Sequence, residues 1–324
     1  MLNPDLVASF QKICDQHQRF LVISHVRPDG DAYGSSIGLA LGLQALGGDV
    51  VVSNADGLSP LFEFLPGSKS LKATLPAKPE PDRLIIAVDC ADQKRLGPAF
   101  DQWQRSPDVN IDHHVSNPGY AKINLIDAES PATAQVLYEI ITALAWPLTP
   151  DIAANLYVGL MTDTGNFRYR QTTAHTFEVA ARLVAAGADP TDLAESCYQS
   201  FRVERLLLMR EVFGAIHFAN QDRVAWFCLS PEMYARSGAI PDETEGLIEY
   251  LQAVRTVEVA FLLESLPDGL TRGSMRSRGK VNVQQICQEF GGGGHRLAAG
   301  LRSKLDPASL EHKLLELISK QLPA

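Results

Sequence analysis

The sequence has few cysteines, no excess of basic residues and no long apolar run. Its five cysteines are scattered over 324 residues without a Cys-x-x-Cys pair, which argues against a disulfide framework and against a structural zinc site. Lys and Arg number 29 against 38 Asp and Glu, a formal net charge of −9. Proteins that wrap long nucleic acids usually carry a basic surface, so a long duplex is not an expected partner.

No apolar segment approaches the ~20 residues needed to cross a bilayer. The first residues also lack the charged and apolar regions of a signal peptide. We therefore expect a cytoplasmic protein without a membrane partner. The composition, 45% hydrophobic and 21% charged, is that of a globular protein, and the length is sufficient for two domains.

The first half of the sequence alternates strand-like and helix-like segments. Short β-branched runs predict buried strands at 20–24, 49–53, 83–88 and 109–111. The spacing of apolar residues predicts helices at 34–46, 132–145, 152–161 and 173–186. This alternation favours an α/β fold with a largely parallel sheet covered on both faces.

A different pattern begins near residue 212. Closely spaced strands are predicted at 215–219, 224–229, 258–265 and 271–277, separated by turn residues. They indicate a smaller α+β domain. We predict a catalytic domain at 1–187, a helical linker at 188–211 and a second domain at 212–324.

Four short acidic and histidine clusters accompany apolar runs in the first half. Together they contain six oxygen or imidazole donors: His25, Asp29, Asp31, Asp89, His113 and Asp163. Three of the clusters follow predicted strands, and ligands of open parallel sheets collect at the carboxyl ends of strands. A lone Asp-x-Asp is typical of a solvated turn, but four such clusters in one half of a chain favour a metal site.

The donor types indicate which metal is expected. Several carboxylates are buried together only when cations neutralise them. Carboxylates and imidazoles without thiolates favour Mn²⁺ or Mg²⁺, with Zn²⁺ and Co²⁺ as alternatives. Asp29 and Asp31 can face two neighbouring sites, and Asp89 placed between two metal ions would complete a binuclear centre.

The second domain contains candidate phosphate-binding residues. Arg276 and Arg278 alternate with Ser277 on a predicted strand and therefore share one face. Four glycines, including Gly292, Gly293 and Gly294, precede His295, and glycine N–H groups can approach a phosphate closely. A glycine run alone is also typical of a flexible loop.

These motifs resemble the DHH phosphoesterase superfamily, named for the Asp-His-His present here at 112–114. The order HxxPDGDAxGS, VDxxD, DHH and TDTGNFR matches its four N-terminal motifs, and SMRSR with FGGGGH resembles its DHHA1 domain. The resemblance spans nearly the whole chain and is strongest to the bacterial oligoribonuclease and pAp-phosphatase branch. It implies a parallel-sheet DHH domain and a smaller α+β DHHA1 domain with the active site in the cleft between them.

The resemblance also implies roles for individual residues. One metal ion would be held by His25, Asp29 and Asp89, and the other by Asp31, Asp89, His113 and Asp163, with Mn²⁺ expected. His114 would face the scissile phosphate, and Asp112 would orient a histidine. Asp92 stays outside the metal ligands. The remaining substrate contacts would come from Arg276, Arg278, the 292–294 glycines, His295 and Arg168; Phe167, near Asp163, is a candidate base contact or a core residue.

The implied reaction is hydrolysis by metal-activated water of short oligoribonucleotides to 5′-mononucleotides, and of 3′-phosphoadenosine 5′-phosphate (pAp) to AMP. A phosphodiesterase acting on pApA or cyclic di-AMP shares every motif and stays open as an alternative. An inorganic pyrophosphatase is disfavoured because the GGGGH motif is present. A non-catalytic nucleotide sensor is disfavoured because all six metal donors are present. A homodimer is implied by the resemblance alone.

Overall fold

The computed structural model describes residues 2–76 and 78–322 and shows a chain divided into two units. The first unit comprises residues 1–200 and the second comprises residues 201–324, so the division falls within the segment 188–211 that the sequence predicts as a linker. Among the described helices, none is long and apolar enough to cross a bilayer.

The first unit is built on a sheet of five strands, all parallel, in the order β2-β1-β3-β4-β5. The strands are β1 (Arg19–Ile23), β2 (Asp49–Ser53), β3 (Arg83–Val88), β4 (Val109–Asp112) and β5 (Ile123–Ile126). This confirms the predicted parallel sheet. Strand β5, which has four residues and lies at the edge of the sheet, was not predicted from the sequence.

Helices cover both faces of this sheet. They are α1 (Pro4–Asp15), α2 (Gly30–Ala45), α3 (Pro98–Asp101), α4 (Thr133–Ala143), α5 (Pro150–Asp163), α6 (Ala174–Ala185) and α7 (Pro190–Tyr198). Phe20 and Val22 of β1 join one hydrophobic cluster, whereas Leu21 and Ile23 join another. Successive side chains of a strand point to opposite faces, so each face has its own core.

Helix α2 begins at Gly30, four residues before the start predicted from apolar spacing. Asp29 explains the difference, because its Oδ1 accepts the N–H groups of Asp31 (3.1 Å) and Ala32 (3.0 Å). This N-cap satisfies donors that a helix start otherwise leaves unpaired. The early start places Asp31 in the first turn of the helix.

Helices α2 and α5 approach closely at two glycines. A Cβ on Gly34 would lie 2.3 Å from the carbonyl oxygen of Asn155, and a Cβ on Gly159 would lie 2.7 Å from Oδ1 of Asp31. Only glycine permits this separation without displacing the backbone. The contact fixes the C-terminal end of α5, where Asp163 lies, relative to the start of α2.

The second unit contains a mixed six-stranded sheet in the order β10-β11-β9-β8-β7-β6, in which β7 and β8 are parallel and the other pairs antiparallel. The strands are β6 (His217–Ala219), β7 (Val224–Leu229), β8 (Val259–Ser265), β9 (Thr271–Ser277), β10 (Gly293–Gly294) and β11 (Ala298–Ser303). The helices are α8 (Val203–Phe213), α9 (Pro231–Ser237), α10 (Leu247–Gln252), α11 (Val283–Gln288) and α12 (Pro307–Gln321). The predicted α+β class is confirmed.

Several elements of the second unit differ from the sequence prediction. The helix-rich segment 191–210 contains parts of two helices, α7 and α8, separated at residues 199–202. Strand β9 ends at Ser277, so Arg278 lies just beyond the strand that was predicted to carry it. Strands β10 and β11 and helices α9 to α12 were not predicted.

Candidate metal centre

The six predicted donors lie at the ends of secondary-structure elements in the first unit. His25 follows β1, Asp89 follows β3 directly, and His113 follows β4 directly. Asp29 caps α2, Asp31 lies in its first turn, and Asp163 is the last residue of α5. Because β1, β3 and β4 are parallel neighbours, their carboxyl ends lie at the same edge of the sheet.

One group of donors comprises His25, Asp29 and Asp89, whose candidate ligand atoms all lie within 4.8 Å of one another. Nε2 of His25 is 3.4 Å from Oδ2 of Asp89 and 4.0 Å from Oδ2 of Asp29. Oδ1 of Asp29 is occupied by the helix cap. The two carboxylate oxygens of Asp29 thus have different partners. Oδ1 accepts backbone N–H groups of α2, and Oδ2 faces His25.

A second group comprises Asp31, Asp89 and His113, again with ligand atoms within 4.8 Å of one another. Nε2 of His113 lies 3.7 Å from Oδ1 of Asp89 and 3.3 Å from Oδ2 of Asp163. Asp89 belongs to both groups and presents Oδ2 to His25 and Oδ1 to His113. A single carboxylate therefore joins the two sets of donors.

In both histidine rings, Nδ1 lies near a backbone carbonyl oxygen. Nδ1 of His25 lies 2.9 Å from the carbonyl oxygen of Val26, and Nδ1 of His113 lies 3.2 Å from that of Ser130. At His113, a proton on Nδ1 donates to the carbonyl and leaves Nε2 facing the carboxylates. Nη2 of Arg95 also contacts Nδ1 of His25, at 2.9 Å. At His25, Nδ1 faces both a carbonyl and a guanidinium, which can only donate, so these contacts alone do not assign the proton to Nδ1.

Asp89 occupies an unusual backbone conformation. Its φ is 54°, in the left-handed region that non-glycine residues seldom adopt, and its side chain is buried. Burial opposes ionisation, but the hydrogen bond from His25 and the nearby rings of His114 and His113 hold the pKa of Asp89 well below its usual range. Such strained residues cluster at functional sites.

Asp31 is held by the start of α4. Its Oδ2 accepts the N–H of Thr133 at 2.6 Å, and its Oδ1 accepts the N–H of Ala134 at 3.0 Å and the hydroxyl of Ser35 at 2.8 Å. Helix N-termini favour negative charge. Burial, followed by the charges of Asp89 and Asp163, nevertheless raises the pKa of Asp31 well above its usual value.

His114 is paired with Asp112. Nδ1 of His114 donates to Oδ1 of Asp112 at 2.7 Å, and Asn117 donates to Oδ2 of the same carboxylate at 2.6 Å. Burial favours the neutral ring, but the hydrogen bond to Asp112 and the charges of Asp112 and Asp89 raise the pKa of His114 to about 10. Without a bound metal ion, His114 is therefore a cation at neutral pH.

The donor set fits divalent metal ions. Four buried or half-buried carboxylates converge with two imidazoles, and burial together with their mutual repulsion raises the pKa of Asp31. Hard cations neutralise such clusters, and the absence of thiolates among these donors favours metals that prefer oxygen and imidazole. The buried acidic and histidine cluster is accordingly a candidate divalent-metal site.

Sequence reasoning missed the residues that support the donors. Thr133 contacts both Asp31 and Asp89, Arg95 contacts His25, and Asn117 contacts Asp112. The predicted helix start near residue 132 was the only local signal for Thr133, because its partners lie 44 and 102 residues away.

Asp92 accepts the N–H of Lys94 at 3.0 Å and caps a short turn.

The predicted substrate residues lie in both units. Arg168 belongs to the first unit, in the turn after α5, where its Nε donates to the carbonyl oxygen of Gly165 at 2.6 Å. In the second unit, Arg276 of β9 pairs with Ala298 of β11, and Gly294 of β10 pairs with Ala299. Arg276 and the glycine run therefore lie on the two strands that flank β11 at this edge of the sheet.

The two arginines of the second unit have different partners. Arg276 is partly exposed, and its Nε lies 3.5 Å from Oε1 of Glu249. Arg278 donates from Nη1 to the carbonyl oxygen of Arg255 at 2.9 Å and from Nη2 to those of Gln252, at 2.5 Å, and Val254, at 3.1 Å. The guanidinium of Arg278 therefore binds carbonyl groups at and just beyond the C-terminal end of α10.

The glycine run is shaped by its neighbour β11. A Cβ on Gly292 would lie 2.2 Å from the carbonyl oxygen of Gly300, and one on Gly294 would lie 2.6 Å from that of Ala298. The N–H groups of Gly291, Gly292 and His295 already donate to backbone carbonyls. Gly293 and Gly294 themselves pair with Gly300 and Ala299 of β11.

Comparison with known families identifies two domains. The DHH family, N-terminal domain, matches residues 19–160, and the DHHA1 domain matches residues 227–322. The first match contains five of the six donors, and the second contains Arg276, Arg278 and the glycine run. Among curated proteins, the chain is 33% identical over 305 residues to the bifunctional oligoribonuclease and PAP phosphatase NrnA of Thermus thermophilus, covering 93% of this chain and 89% of that protein.

Solved structures show the same fold. An exopolyphosphatase-related protein from Bacteroides fragilis aligns with a TM-score of 0.88 at 23% identity, covering 100% of this chain and 98% of the other. RecJ from Thermus thermophilus in complex with Mn²⁺ aligns with a TM-score of 0.56 at 14% identity, covering 99% of this chain and 55% of the other. At these identities the likeness concerns the fold alone.

Proposed function

This chain belongs to the DHH–DHHA1 family of phosphoesterases, and we propose that it hydrolyses short oligoribonucleotides to 5′-mononucleotides and pAp to AMP. The observation that carries the proposal is the shared carboxylate of Asp89, which joins two donor groups at the strand ends. The named activities of the Thermus relative, which aligns with 93% of this chain, support the substrate class.

We propose that the site holds two divalent ions, Mn²⁺ in the physiological enzyme. His25, Asp29 and Asp89 would hold one ion, and Asp31, Asp89, His113 and Asp163 would hold the other. When bound, such a pair supplies Lewis acidity toward the phosphoryl oxygens and a lowered pKa for bound water. The carbonyl oxygen of Ser130 orients the ring of His113, and the contacts of Nδ1 with Val26 and Arg95 position the ring of His25.

His114 is proposed to face the scissile phosphate. Its link to Asp112 fixes the proton on Nδ1 and holds the ring 3.7 Å from Oδ1 of Asp89, measured from Nδ1. When it is protonated, a ring in this position would attract a phosphate and offset the negative charge that develops in the transition state. Asp112 acts through His114, as a positioning residue.

The remainder of the substrate is proposed to contact Arg276, Arg278, His295, the glycines at 292–294 and Arg168. Arg276 is the strongest of these candidates, because its guanidinium is partly exposed and arginine suits phosphate geometry. Arg278 would have to leave three carbonyl oxygens to bind a phosphate. We therefore expect its replacement to affect the fold near α10 as well as binding.

An assay in Mn²⁺ tests the substrate assignment directly. It compares pAp, a labelled RNA pentamer, pApA, cyclic di-AMP and inorganic pyrophosphate under identical conditions. Hydrolysis of pAp and the pentamer is expected. Preference for pApA or cyclic di-AMP would favour the alternative phosphodiesterase, activity on pyrophosphate alone would contradict the proposal, and tight nucleotide binding without turnover would indicate a sensor.

The compartment and the assembly are also proposals. Five free cysteines, with no disulfide in the described part of the chain, favour a reducing compartment such as the cytoplasm. A homodimer is proposed from the family resemblance. Sedimentation analysis of the purified chain distinguishes a dimer from a monomer.

A further inference from the structure

Three aromatic rings form a column that leads from the core of the first unit to its surface. Tyr157 of α5 is 7% exposed, and its ring centroid lies 6.0 Å from that of Phe167. Phe167 stacks in turn on Phe177 of α6, with centroids 5.4 Å apart and planes 26° from parallel. Phe177 ends the column and is 55% exposed.

The column adjoins a proposed metal ligand. Phe167 is four residues after Asp163, and the intervening turn contains three consecutive residues in the left-handed region: Gly165, Asn166 and Phe167, with φ of 57°, 59° and 60°. The turn is closed by hydrogen bonds from the N–H of Asn166 to the carbonyl oxygen of Met161 and from that of Phe167 to Oγ1 of Thr164. It therefore joins the ring to Asp163 through a tightly bonded segment.

The outer ring is also firmly placed. Phe177 lies in the first turn of α6, where Thr173 and Thr176 form a reciprocal capping box. Phe167 supports one face of the ring. An exposed aromatic side chain that is fixed in this way loses little conformational entropy when a flat ligand stacks on it.

Charged residues of both signs adjoin the column in the sequence: two arginines follow Phe167, and Glu178, next to Phe177, pairs with His175. Arg168 and Arg170, in the same turn, are both exposed, although the whole chain has a net charge of −9. Arg168 is oriented by its bond to Gly165. Aromatic rings combined with cations are the features that bind single-stranded nucleotides, since bases stack on the rings and phosphates meet the cations.

We infer that Phe177 is a stacking platform for a nucleobase of the substrate, with Phe167 as its support. This inference rests on the proposed function and extends it, because it assigns a base-binding position to the catalytic unit. Stacking tolerates all four bases, since each has a π-face. The platform therefore favours nucleotides over phosphoesters without a base but does not select a sequence.

The test compares pAp with ribose 3,5-bisphosphate, which carries the same two phosphates without the base. Wild-type enzyme is expected to have a higher kcat/KM for pAp. Phe177→Leu should lower kcat/KM for pAp about tenfold, mainly by raising KM. The kcat/KM for ribose 3,5-bisphosphate should stay unchanged. Phe177→Trp should retain the preference. Val184→Ala, on the same helix at a side chain that is 39% exposed, is the matched control and should behave as wild type.

The outcomes separate this inference from the proposed function. Wild-type enzyme that hydrolyses neither compound would overturn both. Wild-type enzyme that hydrolyses both equally well, or a Phe177→Leu variant with an unchanged ratio of kcat/KM values, would overturn only the platform. Conversion of a wild-type dimer to a monomer by Phe177→Leu, seen by sedimentation, would show that the ring serves a subunit interface, which would also overturn it.

Discussion

Oγ1 of Thr133 donates a hydrogen bond of 2.9 Å to Oδ1 of Asp89, while the backbone N–H of Thr133 donates to Oδ2 of Asp31 at 2.6 Å. One residue at the start of α4 thus contacts a carboxylate that follows β3 and a carboxylate in α2. All three residues are buried. Thr133 is therefore expected to fix the orientation of Asp89, the residue shared by both donor groups.

Replacing Thr133 with valine tests this role. Valine keeps the branched shape but removes the hydroxyl donor, so Asp89 loses one hydrogen bond while the backbone contact to Asp31 stays. Supporting residues of this kind contribute about 10- to 100-fold to metal affinity or activity. We expect a loss of this size in Mn²⁺ affinity, measured by calorimetry. Thr133→Ser should retain near wild-type affinity for Mn²⁺. Equal Mn²⁺ affinities of Thr133→Val and wild-type protein would refute the supporting role of the hydroxyl.

Gly159→Ala is expected to destabilise the protein and to displace Asp31, a proposed metal ligand. The added Cβ would lie 2.7 Å from Oδ1 of Asp31 and 2.8 Å from Cβ of Ala134, so α5 must move away from α2. Overpacking of this kind costs about 1–3 kcal/mol. Gly42→Ala is the matched control, because its Cβ meets only Trp146, at 3.9 Å. The control should be neutral or more stable by up to about 1 kcal/mol, and urea denaturation measures both.

Metal binding should stabilise the first unit. A ligand at about 100 times its Kd adds about 2.7 kcal/mol to the free energy of unfolding, and here it also relieves the repulsion that raises the pKa of Asp31. We expect Mn²⁺ to raise the Tm of wild-type protein by several degrees. Asp163→Ala should show a much smaller rise, whereas Glu178→Ala, an exposed carboxylate of α6, should match the wild type. An unchanged Tm in wild-type protein would contradict the metal site.

Asp108 should make stability depend on acidic pH. Its buried carboxylate accepts the N–H of Ile85 at 3.0 Å and contacts Arg105 and Lys122, both at 2.7 Å. Burial opposes ionisation, but the hydrogen bonds from Lys122 and Ile85 and the charge of Arg105 lower the pKa of Asp108. A lowered folded-state pKa stabilises the protein above the unfolded-state pKa, and this contribution is lost as the pH falls through the folded-state value.

Asp108→Asn measures that contribution. At pH 7 we expect the variant to be less stable by about 1–3 kcal/mol, because two cations lose their charged partner. The difference from wild type should begin to shrink below about pH 4, where the carboxyl of the unfolded chain takes up its proton, and it should be lost as the pH falls through the lower folded-state pKa. Chemical denaturation across pH 3–7 provides the curve. A difference that is constant over this range would show that the charge of Asp108 does not contribute.

The first unit was largely predictable because its signals are local. The runs at 49–53 and 83–88 form strands with the predicted bounds, since buried parallel strands are continuously apolar. Strand β5 was missed because its four residues are mostly half-buried. The start of α2 was misplaced because the cap by Asp29 outweighs the polar character of its first turn.

The second unit and the support of the centre were less predictable because they depend on distant contacts. Strand β10 consists of two glycines whose strand character depends on pairing with β11. Helix α12 is an exception, because its amphipathic pattern, with Leu310, Leu314 and Ile318 buried, is a local signal in the sequence. The contacts of Thr133 with Asp31 and Asp89 depend on the packing of α4 against α2 and β4, which no local pattern encodes.

Asp89 is proposed to join two metal ions in a hydrolytic site. The most direct measurement is the metal content of Asp89→Asn together with its rate of pAp hydrolysis in Mn²⁺. Asp92→Asn is the matched control, since Asp92 lies three residues away and asparagine can also cap its turn. We predict two Mn²⁺ per chain and normal turnover for the wild type and the control. For Asp89→Asn we predict reduced metal content and a rate lower by about 10³-fold or more. A near-normal rate in Asp89→Asn would contradict the account.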